Sequence, residues 1–166
     1  FKEDSVKSSK VEFFNKVAGK APSEELAVLL QQIKDQATIL LEEVLETKEA
    51  ASEGDWVEIL DGVCDVKFVA SELVTQLESV GIDFNGAFEA VCENNNLKYT
   101  TSSELANKWL IEQTEKGVQC HIHETEHEGC KFYVVRRNED NKVMKYEGFE
   151  PVDLTPYIPT ILLEKK

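Results

Sequence analysis

Basic residues are scarce in this chain of 166 residues: 18 Lys and Arg stand against 32 Asp and Glu, a formal charge of −14. That balance argues against nucleic-acid polymers as partners, whose binding depends on neutralising phosphates with basic side chains. It leaves room for a small phosphorylated ligand, because bound metal ions invert the local electrostatics. No run of 18 apolar residues exists, so nothing is expected to span a membrane. Four cysteines, Cys64, Cys92, Cys120 and Cys130, are spread without a framework spacing, and Cys64 falls within a predicted apolar helix. This pattern fits a reduced, cytoplasmic protein better than a secreted disulfide scaffold. The opening residues, Phe1-Lys2-Glu3-Asp4, carry neither the apolar stretch of a signal peptide nor an initiating Met, so the chain is expected to start inside a longer gene product. Internal repeats and low-complexity segments are absent. With 42% hydrophobic and 30% charged residues, the composition is that of a globular protein, and the length suits one domain with a small appendage.

Helical periodicity dominates the first part. Val6, Val11, Phe13, Phe14 and Val17 give a loose helical pattern over 5–18 that stops at Gly19. Ser23 is placed to cap a second helix whose apolar stripe is Leu26, Leu29, Leu30, Ile33, Ala37, Leu40, Leu41, Val44 and Leu45. After a polar break at 51–55, a third helix is expected from about Asp55 to Ser79, with Val57, Leu60, Val63, Cys64, Phe68, Val69, Leu73 and Leu77 facing a core. Asp83 opens a fourth through Phe84, Phe88 and Leu97. From Tyr99 the character changes. Ser102 or Ser103 begins another helix ending at Gly117, and strands are expected at 118–123, 130–135 and 142–146, followed by an extended Pro-containing tail. The predicted fold is therefore mainly α. A helical catalytic bundle of four to five helices spans 1–98. A helix with a β-hairpin or three-strand extension and a tail spans 99–166.

The chemistry-bearing feature is a pair of acidic motifs. Glu43 and Glu46 close the second helix, and Glu58 and Asp61 open the third. Spacing of i, i+3 sets each pair on one helix face with Cβ atoms about 5–6 Å apart. Glu42 precedes the first pair, and Asp65 extends the second by one turn. If the helices fold back antiparallel, four to six carboxylates face one another and repel unless protonated or neutralised. Hard divalent cations with oxygen ligands are the usual neutraliser, which predicts a magnesium site.

The ordered residues resemble the MazG-like all-α nucleoside triphosphate pyrophosphohydrolases, the superfamily that also holds phosphoribosyl-ATP pyrophosphohydrolase and dimeric dUTPases. The family motif is ExxE, a spacer, then ExxD. Here it reads Glu43-Val44-Leu45-Glu46 and, after the eleven residues 47–57, Glu58-Ile59-Leu60-Asp61. Asn94-Asn95-Asn96-Leu97-Lys98 is similar to a later family segment, with Cys92 and Glu93 standing where His and Arg are expected. Residues Tyr133–Arg137 through Phe149–Leu154 resemble the tail of phage-type and bacterial members.

The resemblance implies hydrolysis between the α- and β-phosphates of a nucleoside triphosphate, controlling or cleansing a nucleotide pool in a bacterial or phage-infected cytoplasm. It implies Mg²⁺, with Mn²⁺ able to substitute, held by Glu43, Glu46, Glu58 and Asp61, and Asp65 as a further ligand. Glu43 and Glu46 are thereby catalytic as well, and Glu42 is the candidate general base. Asn95 and Lys98 would contact the nucleotide. Family members are homodimers or homotetramers, and Phe13, Phe14 and Phe84 are apolar positions consistent with self-association.

Two other readings stand beside this one. An acidic ridge also serves a non-catalytic interaction protein on the same helical fold. Cys120, His121, His123, His127 and Cys130 supply soft ligands of the kind zinc takes, although Cys120 and His121, being adjacent, point to opposite faces of a strand. Trp56 and Trp109 read as core or interface aromatics.

Overall fold

The computed structural model describes Lys2–Glu164, with side chains from Lys10 onward. The protein is mainly helical with a small three-stranded antiparallel sheet. It divides into two compact units, one running up to Phe84 and resuming at Ile158, the other comprising Asn85–Tyr157. Helix α4 (Phe84–Asn96) is thus grouped with the sheet. Among the described residues no helix is long and apolar enough to cross a membrane.

The helical unit is built on an antiparallel hairpin of α2 (Leu26–Glu53) and α3 (Trp56–Glu78), with α1 (Lys2–Val17) packed on α3. The polar break is shorter than its composition suggests. Gly54, at φ 74°, ends α2, and its N–H returns to Ala50 O. Asp55 then caps α3 by accepting from Val57 N at 3.0 Å and Glu58 N at 3.2 Å. Ser23 does not cap α2. It accepts from Glu25 N, and the helix starts at Leu26. The tail is not wholly extended, since it forms a 3-10 turn at Thr155–Tyr157 and a helical turn at Thr160–Leu163.

The two hairpin helices approach closely at Gly62. A Cβ there would overlap Thr47 Oγ1 and lie 3.3 Å from Thr47 Cα, which belongs to the backbone of the facing helix. Thr47 is not free to rotate away at no cost, because its hydroxyl donates to Glu43 O at 2.7 Å.

Burial along the hairpin is uneven, which corrects the expectation of continuous core-facing stripes. Leu29 and Val69 are buried, and Phe68 meets Phe14 of α1 edge to face at 5.4 Å. At the other end, Leu41, Val44 and Leu45 of α2 and Val57, Leu60 and Val63 of α3 are exposed. The reason is coverage: α1 meets α3 around Phe68, while the end near Gly54 is two helices thick. Cys64, expected on an apolar face, is exposed, and all four cysteines are free thiols.

Polar groups occupy part of the interior. Asn15, Gln36, Glu72 and Gln76 are buried, and Gln36 Nε2 donates to Glu72 Oε2. Asn15 Oδ1, Glu72 Oε1 and Gln76 Oε1 are buried with no hydrogen-bond partner among the described residues.

In the second unit, β2 (Cys120–His127) and β3 (Cys130–Arg137) form a hairpin joined at Glu128-Gly129, both at positive φ. The third strand is not 142–146, which contributes a single bridge from Val143 to Arg136. It is β1 (Tyr99–Thr100), giving the order β1-β3-β2. Helix α5 (Ser103–Glu115), capped by Ser102 Oγ accepting from Leu105 N, covers one sheet face through Ala106 and Trp109, with Val135 buried. Trp109 stacks on Tyr146 at 4.5 Å, and Gln113 Nε2 donates to Lys145 O, tying the segment after β3 to α5.

Gly62→Ala should destabilise the protein by about 1–2 kcal/mol in urea denaturation. Overpacking costs about 1–3 kcal/mol, and the better helix propensity of alanine returns at most about 1. Adding Thr47→Ala should recover part of the loss. An unchanged or raised midpoint for Gly62→Ala would mean that the helices are not in close contact there.

Candidate metal centre

A cleft of about 230 Å³ opens between the C-terminal half of α2 and the N-terminal half of α3. Glu43, Glu46, Glu49 and Glu53 border it from α2, and Glu58, Asp61 and Asp65 from α3, with Ala50 and Gly62 as the small residues between them. Among the described residues no basic side chain lines it. The geometry follows from periodicity. Positions 43, 46, 50 and 53 fall on one face of α2, and 58, 61, 62 and 65 on one face of α3. The hairpin turns those faces toward each other, and Gly62 lets them come near.

Five of the sequence-predicted acids, Glu43, Glu46, Glu58, Asp61 and Asp65, therefore share one cleft. Glu42 does not line it, although its charge acts on Glu43. Asn95 and Lys98 belong to the sheet unit, where they border a different cavity. Glu49 and Glu53 were missed by the motif, yet the same spacing reaches them. From Glu46, i+3 is Glu49 and i+7 is Glu53, so the acidic row could have been continued to the end of the helix. Gly62 carried a signal too, as a glycine inside a helix otherwise free of them.

The electrostatics are one-sided. Burial pushes the Glu43 carboxyl above its ordinary value, and the charges of Asp65, Glu46, Glu42 and Asp61 push it further in the same direction. No cation offsets them. Chemically, the cleft offers only hard oxygen donors, the set that Mg²⁺ and Mn²⁺ take and softer metals do not favour. Among the described residues no three His, Cys, Asp or Glu side chains close on a common point as one metal site. The carboxylates line two walls instead. Ligands on opposing walls are held at helix spacing by backbone, so the side-chain torsions of Glu and Asp alone decide whether they converge.

The alternative soft-ligand cluster is divided by the sheet. Cys120 pairs with Arg137 in the register that places Ile122 and Val135 on the α5 face, whereas His121 and His123 alternate to the other. His121 Nδ1 is hydrogen-bonded to Asn138 Oδ1 at 2.7 Å. Trp109 is buried, but Trp56, beside the acidic row, is 80% exposed.

Compared with models of known families, with curated proteins and with solved structures, the chain matches none.

The Glu43 and Glu72 carboxyls are both pushed above their ordinary value, each chiefly through burial. A carboxyl raised on folding favours the folded state while protonated. That contribution is complete below the unfolded value of 4.5 and disappears as pH rises through the folded one. Asp140 and Asp153 are shifted the other way, so their effect appears only as pH falls toward and below 3.8. In chelator, the melting temperature should therefore fall as pH rises above 4.5. Glu43→Gln should flatten that slope. Mg²⁺ at about a hundred times its Kd should add about 2.7 kcal/mol at neutral pH, and less at pH 5. A flat profile unaffected by Mg²⁺ would argue against a cation site.

Proposed function

We propose that the helical unit is a Mg²⁺-dependent nucleoside triphosphate pyrophosphohydrolase that cleaves between the α- and β-phosphates, releasing a nucleoside monophosphate and pyrophosphate. One observation carries this reading: Glu43 and Glu46 face Glu58, Asp61 and Asp65 across a cleft lined, among the described residues, by no basic side chain. A triphosphate is repelled by such a surface unless a cation intervenes, so the acids and the substrate require the same ion.

Glu43, Glu46, Glu58 and Asp61 are the proposed metal ligands, with Asp65 as a further one and Mn²⁺ as an acceptable replacement. Bound there, the metal neutralises phosphate charge and lowers the pKa of a coordinated water. A carboxylate left outside the ligand set is then available as general base. Glu42 is the candidate for that role from its place beside the first motif, although it does not line the cleft, while Glu49 and Glu53, which do, are further carboxylates within the same row. The half-buried Glu43, with its raised pKa, is the ligand whose charge a cation would relieve most. The resemblance gives Asn95 and Lys98 to the nucleotide as well, but they belong to the sheet unit and border its own cavity. This is nucleotide-pool chemistry for a cytoplasmic setting, with no nucleic-acid polymer and no membrane as partner.

The reading includes a homodimer or homotetramer. Its support is the bare end of the hairpin, where Leu41, Leu45 and Leu60 are 57%, 54% and 66% exposed. Apolar residues in such a run are uncommon on an isolated surface, and a second copy presenting the same two helices would cover them. The alternative is a non-catalytic acidic interaction protein. The 80% exposure of Trp56 and 74% exposure of Val57 next to the acidic row favour that alternative, because an exposed aromatic anchor is a feature of docking sites.

Pyrophosphate release should be measured over a panel of nucleoside triphosphates with Mg²⁺. Wild type should turn over at least one of them. Glu46→Gln, which keeps the shape and removes one charge, should lose more than about 100-fold, since even groups one shell outside a metal cost about 10–100-fold. No turnover on any triphosphate would transfer the acidic ridge to the docking role.

Sedimentation tests the assembly separately. Wild type should sediment as a dimer or larger. Leu60→Gln should weaken association by about 1.5–3 kcal/mol for each copy of the residue buried. A monomeric wild type at high concentration would remove the oligomer from the reading.

A further inference from the structure

The sheet of the second unit has one face covered by α5 and one that borders a cavity of about 590 Å³. Cavities of about 300–1,000 Å³ are the size of small-molecule sites. Tyr99, Phe132 and Val134 supply the apolar wall, and Asn95, Lys98 and His127 the polar rim. The register accounts for the wall. Tyr99 and His123 both pair with Val134, and Thr125 pairs with Phe132, so these side chains share a face. The Tyr99 and Phe132 rings meet edge to face at 5.5 Å, which fixes both in orientation.

Charge is sorted by the same alternation. Glu124 and Glu126 of β2 fall on the opposite face, where Glu124 takes Lys131 at 2.7 Å. Among the described residues no carboxylate lines the cavity, in a chain with 32 of them. Lys98 stands at its rim: Nζ donates to Asn95 Oδ1 and lies 5.6 Å from the centroid of the Phe149 ring, which Lys145 Nζ also approaches at 5.4 Å. An aromatic wall, an amide and a cation together describe a receptor for a flat ring that carries an anion.

We propose that this cavity binds a nucleoside monophosphate without any divalent metal, its base stacking on the Tyr99–Phe132 wall and its phosphate meeting Lys98. The choice of a nucleotide rests on the pyrophosphohydrolase reading, whose product has this chemistry, but the binding step needs nothing from the acidic cleft. Stacking on an aromatic wall tolerates any base, so the site is expected to discriminate weakly between them. The amide of Asn95 is the group available for an edge contact.

The test is a titration of adenosine, cytidine, guanosine and uridine monophosphates into the full chain in EDTA, followed by isothermal calorimetry and backbone amide shifts. Saturable binding should appear, with shifts at Tyr99, Phe132 and Val134. Phe132→Leu, which keeps the apolar volume and removes the ring, should weaken it about tenfold. Lys98→Met, at the rim where folding is not at stake, should weaken the monophosphate and leave the parent nucleoside unchanged. Glu46→Gln should bind like wild type. The proposal is overturned by absence of saturable binding for all four, by shifts confined to other residues, or by a Phe132→Leu affinity equal to wild type. Hydrolysis without metal-free binding would sink this proposal alone, and metal-free binding without hydrolysis would sink the pyrophosphohydrolase reading alone.

Discussion

The contact between α2 and α3 at Gly62 and Thr47 is the constraint on which the helical unit depends. It brings two helices to a separation that only a residue without a side chain permits, and it does so in the middle of seven carboxylates. Packing and electrostatics oppose each other at this point. Van der Waals contact favours the close approach, while burial of the Glu43 carboxyl and the charges of Asp65, Glu46, Glu42 and Asp61 around it, which together raise its pKa, disfavour it. The rest of the unit compensates at the other end, where Leu29, Val69 and the Phe14–Phe68 pair bury apolar surface. One end of the hairpin holds the fold together, and the other carries the charge.

Much of this arrangement is legible in the sequence, and the parts that are not have physical reasons. The acidic rows are read directly, because i, i+3 and i+7 spacing fixes a helix face whatever surrounds it. The polar break at 51–55 is equally local. The exposure of Leu41, Leu45 and Leu60 is not local. Periodicity shows that a stripe exists but not what covers it, and α1 reaches only part of its length. Tyr99-Thr100 as a strand is too short to give an alternating pattern, and its pairing partner lies more than thirty residues away at Tyr133 and Val134. Conversely, Val143–Tyr146 alternates like a strand, yet Lys145 O and the Tyr146 ring are engaged by Gln113 and Trp109 of α5 instead. The carboxylate rows by themselves lead only to the expectation of a hard cation, and the expected reaction rests on the resemblance to MazG-like enzymes alone.

The two units solve the problem of an acidic chain differently. In the helical unit the acids are gathered, and their field is available to a cation. In the sheet unit strand alternation separates them, leaving one face free of carboxylates and the other able to pair Glu124 with Lys131. Arg137 and Asp140 close the end of the hairpin with two hydrogen bonds, at 2.9 and 2.6 Å, a geometry that holds the Asp140 carboxyl well below its usual range. Local pairing of this kind lets one unit of a highly anionic protein present a face that an anion can approach.

Every acid of the cleft comes from the single stretch Glu43–Asp65, whose two arms are joined by Gly54 and Asp55. Closing so short a loop costs little chain entropy compared with bringing distant segments together. Any partly folded state that contains this hairpin therefore already bears the full charge density. The repulsion is a property of the hairpin itself, present before the sheet unit has taken any part.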